Sequence, residues 1–148
     1  MIAFDTNVLA YAVDTGSPER QAEAERVVET ALASGVALIP MQVLAEFQHV
    51  VVRKFGIRPA EALFLVESWS AAAARVEAYG LADVRAAAAV QKAHKIPLWD
   101  ALIWAVCERA GVRTLVTQDF QDGRTLGRVT FVDPFNPANA ERLGLASA

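Results

Sequence analysis

Asp5, Glu46, Asp100 and Asp119 are the residues whose types and settings point to chemistry. Asp5 closes the apolar run Ile2-Ala3-Phe4, and Asp119 follows Thr114-Leu115-Val116-Thr117-Gln118. Asp100 interrupts the apolar stretch from Trp99 to Trp104, and Glu46 sits in Val43-Leu44-Ala45-Glu46-Phe47. A carboxylate buried without a partner is costly. Like charges held a few ångströms apart raise one another's pKa or force the fold open. A divalent cation resolves both problems. Oxygen donors without a cysteine pair favour Mg²⁺ or Mn²⁺, ions that keep several waters and bind substrate phosphates. Thr6 and Asn7 flank Asp5, and Thr117 precedes Asp119 by two. Such short polar side chains either orient a carboxylate or a metal-held water, or make turn and cap hydrogen bonds. Taken singly, each acid has a plainer reading. Asp5 and Asp119 fit turn residues after strands, Asp100 complements a helix dipole, and Glu46 fits a solvated helix stripe. Only their convergence argues for a site.

Convergence is a matter of the elements that carry them. A short apolar run from Ile2 reads as a buried strand. Ser17-Pro18-Glu19 supplies the capping hydroxyl, first-turn proline and acid of a helix start, with Gly35 as the stop after about Ser34. Val36–Pro40 reads as a second buried strand. Val43, Phe47, Val50 and Val51 have helical spacing within Gln42–Phe55, and Gly56 ends that helix. Pro59 opens another, running to about Ala74; Arg75–Tyr79 alternates and fits a strand or a loop. Leu81–His94 is alanine-rich and helical, Pro97 breaks the chain, and Trp99–Ala110 forms a nearly all-apolar helix before Gly111. Thr114–Thr117 and Val129–Val132 complete the strands. Asp133–Ala148 has two prolines and little pattern, and reads as a loosely held tail. Strands alternating with helices imply an α/β fold whose parallel sheet is covered on both faces. In right-handed β-α-β units a helix starts at the carboxyl edge of the sheet, so early helical turns lie near the strand ends. All four acids are thereby expected at one edge.

The bulk properties agree with a single domain: 148 residues, 54% of them hydrophobic, which excludes disorder. No apolar run reaches the roughly 18 residues of a membrane span, and no signal-peptide pattern opens the chain. Cys107 is alone, which rules out a disulfide framework and a thiolate metal site and suits a reducing cytoplasm. His49 and His94 have no zinc-ligand partners nearby in sequence. Asp122, in a Gly-containing loop, reads as solvated, and no Walker-type motif is present. A net charge of −3 and pI near 5.4 do not advertise a nucleic-acid binder, although clustered acids can hide a local basic surface. On the helix from Pro59, Ala62, Leu65, Val66 and Trp69 share the core face, while Leu63 and Phe64 fall outside it on either side of Glu67. Either this helix packs on two sides, or Leu63 and Phe64 form a partner surface.

Asp-Thr-Asn-Val-Leu after the first strand, Glu46 in its helix, Trp99-Asp100-Ala101-Leu102-Ile103, and Leu115–Gly123 together resemble PIN-domain ribonucleases, in particular the VapC-type toxins of bacterial toxin–antitoxin pairs. The likeness spans residues 1–135, leaving 136–148 as a C-terminal tail. One departure is Gln118, where relatives often carry Glu or Asn. The resemblance implies a three-layer α/β/α sandwich with a central parallel sheet, metal-dependent endonucleolytic cleavage of RNA, a homodimer, and inhibition by a small cognate antitoxin. Asp5, Glu46 and Asp100 would hold one Mg²⁺ or Mn²⁺, with Asp119 completing that site or a second. Candidate RNA-contacting cations are Arg53, Lys54, Lys92, Lys95, Arg124 and Arg128. Two rivals remain. A haloacid-dehalogenase-type phosphatase also places an aspartate after its first strand but needs an acid two residues on, where this chain has Asn7. A non-catalytic α/β module binding a partner protein is the other.

Overall fold

The computed structural model describes residues 1–145. Its strands are β1 (Ile2–Phe4), β2 (Ala37–Pro40), β3 (Arg75–Glu77), β4 (Thr114–Val116), β5 (Thr125–Leu126) and β6 (Val129–Val132). Its helices are α1 (Thr6–Tyr11), α2 (Pro18–Ala33), α3 (Met41–Phe55), α4 (Pro59–Ala72), α5 (Leu81–His94) and α6 (Leu98–Arg109). The strands form one six-stranded sheet in the order β3-β2-β1-β4-β6-β5. Every pairing is parallel except β5 with β6.

The central strands are short and apolar because helices cover the sheet on both sides; every residue of β2 is buried, as are Ala3, Phe4, Leu115 and Val116. From β1 the chain steps outward to β2 and then β3, and only afterwards crosses to β4 on the other side of β1. Right-handed crossovers in opposite directions place the intervening helices on opposite faces. The change of direction opens a crevice between the ends of β1 and β4, the usual ligand position in open α/β sheets. Register sets what lines it: Ile2 lies opposite Thr114 and Phe4 opposite Val116, which brings residue 5 level with residue 117.

Helix α3 follows β2 without a loop and stops at Gly56, whose φ of 67° is the left-handed conformation of a glycine C-cap. Helices α5 and α6 pack as an antiparallel hairpin: Asp83 in the first turn of α5 bonds Arg109 in the last turn of α6. Among the described residues no helix is long and apolar enough to cross a membrane.

The structure decides one open alternative and departs from the sequence expectations in four places. Arg75–Glu77 is a strand, β3, paired in parallel with β2. A two-residue strand, β5, falls within the loop after Asp122. The tail is not loosely held as far as it is described: Leu143 and Leu145 are buried in the core, and Pro137–Asn139 forms a 3₁₀ turn. Asp122 is exposed, as expected, yet its carboxylate accepts hydrogen bonds from the Asn136 and Asn139 side-chain amides and from Asp133 N–H. Residues 146–148 lie outside the described residues. Finally, Trp99 is not part of a buried surround for Asp100; it is 60% exposed at the first turn of α6.

Candidate metal centre

Asp5 ends β1 and caps α1, and the same turn that starts the helix fixes its carboxylate. One oxygen accepts Thr6 N–H at 2.7 Å; the other accepts the Thr117 hydroxyl at 2.8 Å. Only 3% of Asp5 is exposed. The Thr117 hydroxyl oxygen in turn accepts Asp119 N–H at 3.0 Å, so one threonine aligns two acids from adjacent strands. Asn7 steadies Asp119 from the side, donating through Nδ2 at 3.2 Å. Asp100 enters from the first turn of α6. The result is a triad: one carboxylate oxygen each from Asp5, Asp100 and Asp119 lies within 4.8 Å of the others.

Glu46 stands beside the triad and is held there. Its two oxygens accept the Thr6 hydroxyl at 2.7 Å and Gln42 Nε2 at 2.8 Å. Gln42 also donates to the Trp99 carbonyl at 3.0 Å, which ties α3 to the start of α6 and so links Glu46 to the turn bearing Asp100. Gln42 is buried and its own side-chain oxygen has no hydrogen-bond partner.

The charges are not balanced by the protein. Among the described residues no Lys, Arg or His forms a salt bridge with Asp5, Glu46, Asp100 or Asp119. Burial, followed by the adjoining Asp119, pushes the Asp5 carboxyl up to about 8. Burial and then the charges of Asp119 and Glu46 push Asp100 up to about 6. A cation seated among these oxygens removes the repulsion that raises both values. The donor set is hard oxygen throughout, which fits a divalent ion of the Mg²⁺ class and not a thiolate-seeking metal.

The expected acids therefore all reach the carboxyl edge, three as a triad and Glu46 next to it. Thr6 and Thr117 each hydrogen-bond two of the acid residues, and Asn7 bonds Asp119. The expected basic residues divide. Arg128 is bound by Glu108 through its backbone N–H and guanidinium, and Arg124 lies against His94. Lys54 lines a hollow with Asn7 and Tyr11, while Arg53, Lys92 and Lys95 are exposed. Sequence reasoning missed Gln42, although its position one helical turn before Glu46 was a usable signal. It also missed Arg20, which donates to the Gln118 side-chain oxygen at 2.9 Å beside Asp119.

The PIN-domain family model matches residues 2–124. No curated protein matches the sequence. Among solved structures, the chain is similar to VapC20 of Mycobacterium tuberculosis, described as a toxin that cleaves the sarcin–ricin loop. That match has a TM-score of 0.65 and 22% identity over 82% of this chain and 92% of the other. It is also similar to VapBC2 of Rickettsia felis, solved bound to a DNA fragment from its promoter, with a TM-score of 0.63 and 16% identity over 88% and 97% of the two chains. At these identities the likeness is one of fold.

Proposed function

The chain belongs to the PIN-domain family, and on that premise we propose that it is a metal-dependent endoribonuclease, the toxin of a toxin–antitoxin pair. The observation that carries the reading is the triad of Asp5, Asp100 and Asp119, whose oxygens lie within 4.8 Å of one another, with no cationic side chain among the described residues in a salt bridge to them. These three, with Glu46 beside them, would hold Mg²⁺ or Mn²⁺. When bound, the ion supplies Lewis acidity, which makes water nucleophilic near neutral pH and offsets charge on the scissile phosphate.

The protein's own residues provide the frame for that chemistry. Thr6 N–H and Thr117 hold both oxygens of Asp5, so the carboxylate meets a substrate already oriented. Asn7 and the Thr117 hydroxyl fix Asp119, and Gln42 with Thr6 fixes Glu46. A covalent enzyme intermediate has no obvious carrier. Cys107 is buried and its thiol is pushed up by burial and by Asp5, and Asn7 replaces the second acid an aspartyl-phosphatase would need. The catalytic unit is residues 1–135, with 136–148 as a tail whose described part packs onto it. A reducing cytoplasm suits the free thiol of Cys107.

Leu63 and Phe64 on α4, 48% and 67% exposed, support a partner surface, either a homodimer contact or the seat of an antitoxin helix. Phe64→Glu should give a folded protein of smaller hydrodynamic size or one that fails to retain its antitoxin; a variant unchanged in both removes this surface. The ribonuclease reading is tested by incubating the purified protein with a mixed RNA pool. Cleavage should require Mg²⁺ or Mn²⁺, stop in EDTA and return on adding the ion. Cleavage that persists in EDTA, or none with either ion, overturns it.

A further inference from the structure

The acids of the centre lack a cation, but one stands a short step away. Arg20, in the first turn of α2, packs its guanidinium against two rings, 5.2 Å from the centroid of Tyr11 and 4.9 Å from that of Phe135. The rings themselves meet edge to face at 5.2 Å, so they offer the guanidinium one joined aromatic surface. The Gln118 side-chain oxygen accepts from one terminal nitrogen of Arg20 at 2.9 Å. A guanidinium has five N–H donors in a rigid fork, and this one forms no salt bridge among the described residues. Its neighbour Glu23 is paired with Arg26 instead.

Two separate paths connect this fork to the metal centre. Gln118 adjoins Asp119 in the chain. Tyr11 lies four residues after Asn7 on α1, on the same face and about 6 Å further along the helix axis, and Asn7 holds Asp119. Both paths tie Arg20 to Asp119, at the carboxyl edge of the sheet. Gln118 matters here for being neutral. A carboxylate at that position would orient the guanidinium and cancel its charge; the amide orients it and leaves the charge available.

We propose that Arg20, held against Tyr11 and Phe135 and aimed by Gln118, binds a backbone phosphate of the RNA next to the one that is cut. The proposal rests on the ribonuclease reading and adds to it the residue that sets where the strand lies. Arginine suits the role because its planar fork stacks on rings and pairs with phosphate oxygens at once. An Arg20 that served only to pack α2 against Phe135 would contribute the same contacts but no dependence of RNA affinity on salt.

That difference is the test. The full chain carrying Asp100→Asn, which should bind RNA without cutting it, is titrated in Mg²⁺ with a fluorescent single-stranded oligoribonucleotide across a series of KCl concentrations. Adding Arg20→Met should weaken binding several-fold at low salt. It should also reduce the slope of log K against log salt by about 0.7, the value for one phosphate contact on a single strand. Arg20→Lys keeps the charge and should keep most of the slope, and Arg26→Met, which removes a cation already paired, should leave it unchanged. An unaltered slope in Arg20→Met overturns the proposal while the ribonuclease reading stands. So does a slope that falls equally in Arg20→Lys, since the loss would then follow packing and not charge. If neither the Asp100→Asn protein nor the unsubstituted protein binds RNA at any salt, the ribonuclease reading falls and this proposal with it.

Discussion

The two ends of α6 meet acids under opposite regimes. At its last turn Arg109 donates to Asp83 at 2.9 Å, to Glu77 at 3.3 Å and to the Ala78 carbonyl at 3.0 Å. Arg75 and then Arg109 hold Glu77 below the usual carboxylate range. Burial alone would raise Asp83, but Arg109 and Gly80 N–H outweigh it and hold that carboxyl low as well. At the first turn of the same helix, Asp100 meets Asp119, Glu46 and Asp5, and its carboxyl rises. The helix dipole favours an ionised Asp100, but such an effect is worth less than about one pKa unit at an exposed position. Burial and the neighbouring charges win. The contrast shows that acid content does not mark a site. What marks it is whether the chain supplies its own counter-ion. It does so at Arg109 and withholds it at Asp100.

The sharpest way to break this comparison is to remove a charge at each end. Asp5→Asn or Asp100→Asn should abolish RNA cleavage while the protein stays folded, with a metal-free melting temperature equal to or above the parent's. An active Asp5→Asn enzyme would show that the unpaired acids are not the working ones. Removing an orienting group should cost less: Thr117→Val leaves all four acids but frees Asp5 and the Asp119 N–H, and should lower metal affinity or activity roughly 10- to 100-fold. Unchanged kinetics would reduce Thr117 to a turn residue.

The protons should also report the difference. In EDTA, folded Asp5 keeps its proton up to about pH 8, whereas the unfolded chain gives it up near 3.8. Between these values the unfolded state binds fewer protons, so this group makes stability fall as pH rises. Its contribution is full below about pH 4 and is lost through about pH 8. Saturating Mn²⁺ should reverse the trend, because the ion binds the ionised acids of the folded state. Thermal melts from pH 5 to 8 with and without Mn²⁺ check both signs; a metal-free protein that gains stability over that range contradicts the assignment. The smallest effect belongs to the paired end. Asp83→Asn should leave cleavage intact and cost about 1 kcal/mol of stability, limited because Arg109 is partly exposed to solvent.

The triad was legible because each acid breaks a pattern. Asp5 ends an apolar strand, Asp100 interrupts an apolar helix, and Asp119 follows a strand expected beside the first. Periodicity and the right-handed crossover rule then suffice to bring them together. The parts that were not legible depend on single contacts between distant segments. Leu143 and Leu145 are two apolar residues in a stretch without period, and only the core surface beneath them shows that they are anchored. Trp99 reads as core because it is apolar, yet its place in the first turn of α6 turns it outward. Arg20 looks like any surface arginine until Tyr11, Gln118 and Phe135 are folded around it.

The placement of β1 between β2 and β4 has a consequence for how the protein is made. Thr117, which aligns Asp5 with Asp119, is made 112 residues after Asp5. At roughly 10 residues per second that is a delay on the order of ten seconds. Throughout it, β1 has no β4 beside it and the triad cannot assemble. On the proposed reading, a nascent chain is therefore inert toward RNA near the machine that is translating it, and competence arrives only once Thr117 and Asp119 have been made. The split of the centre between the opening strand and a late one acts as a timer.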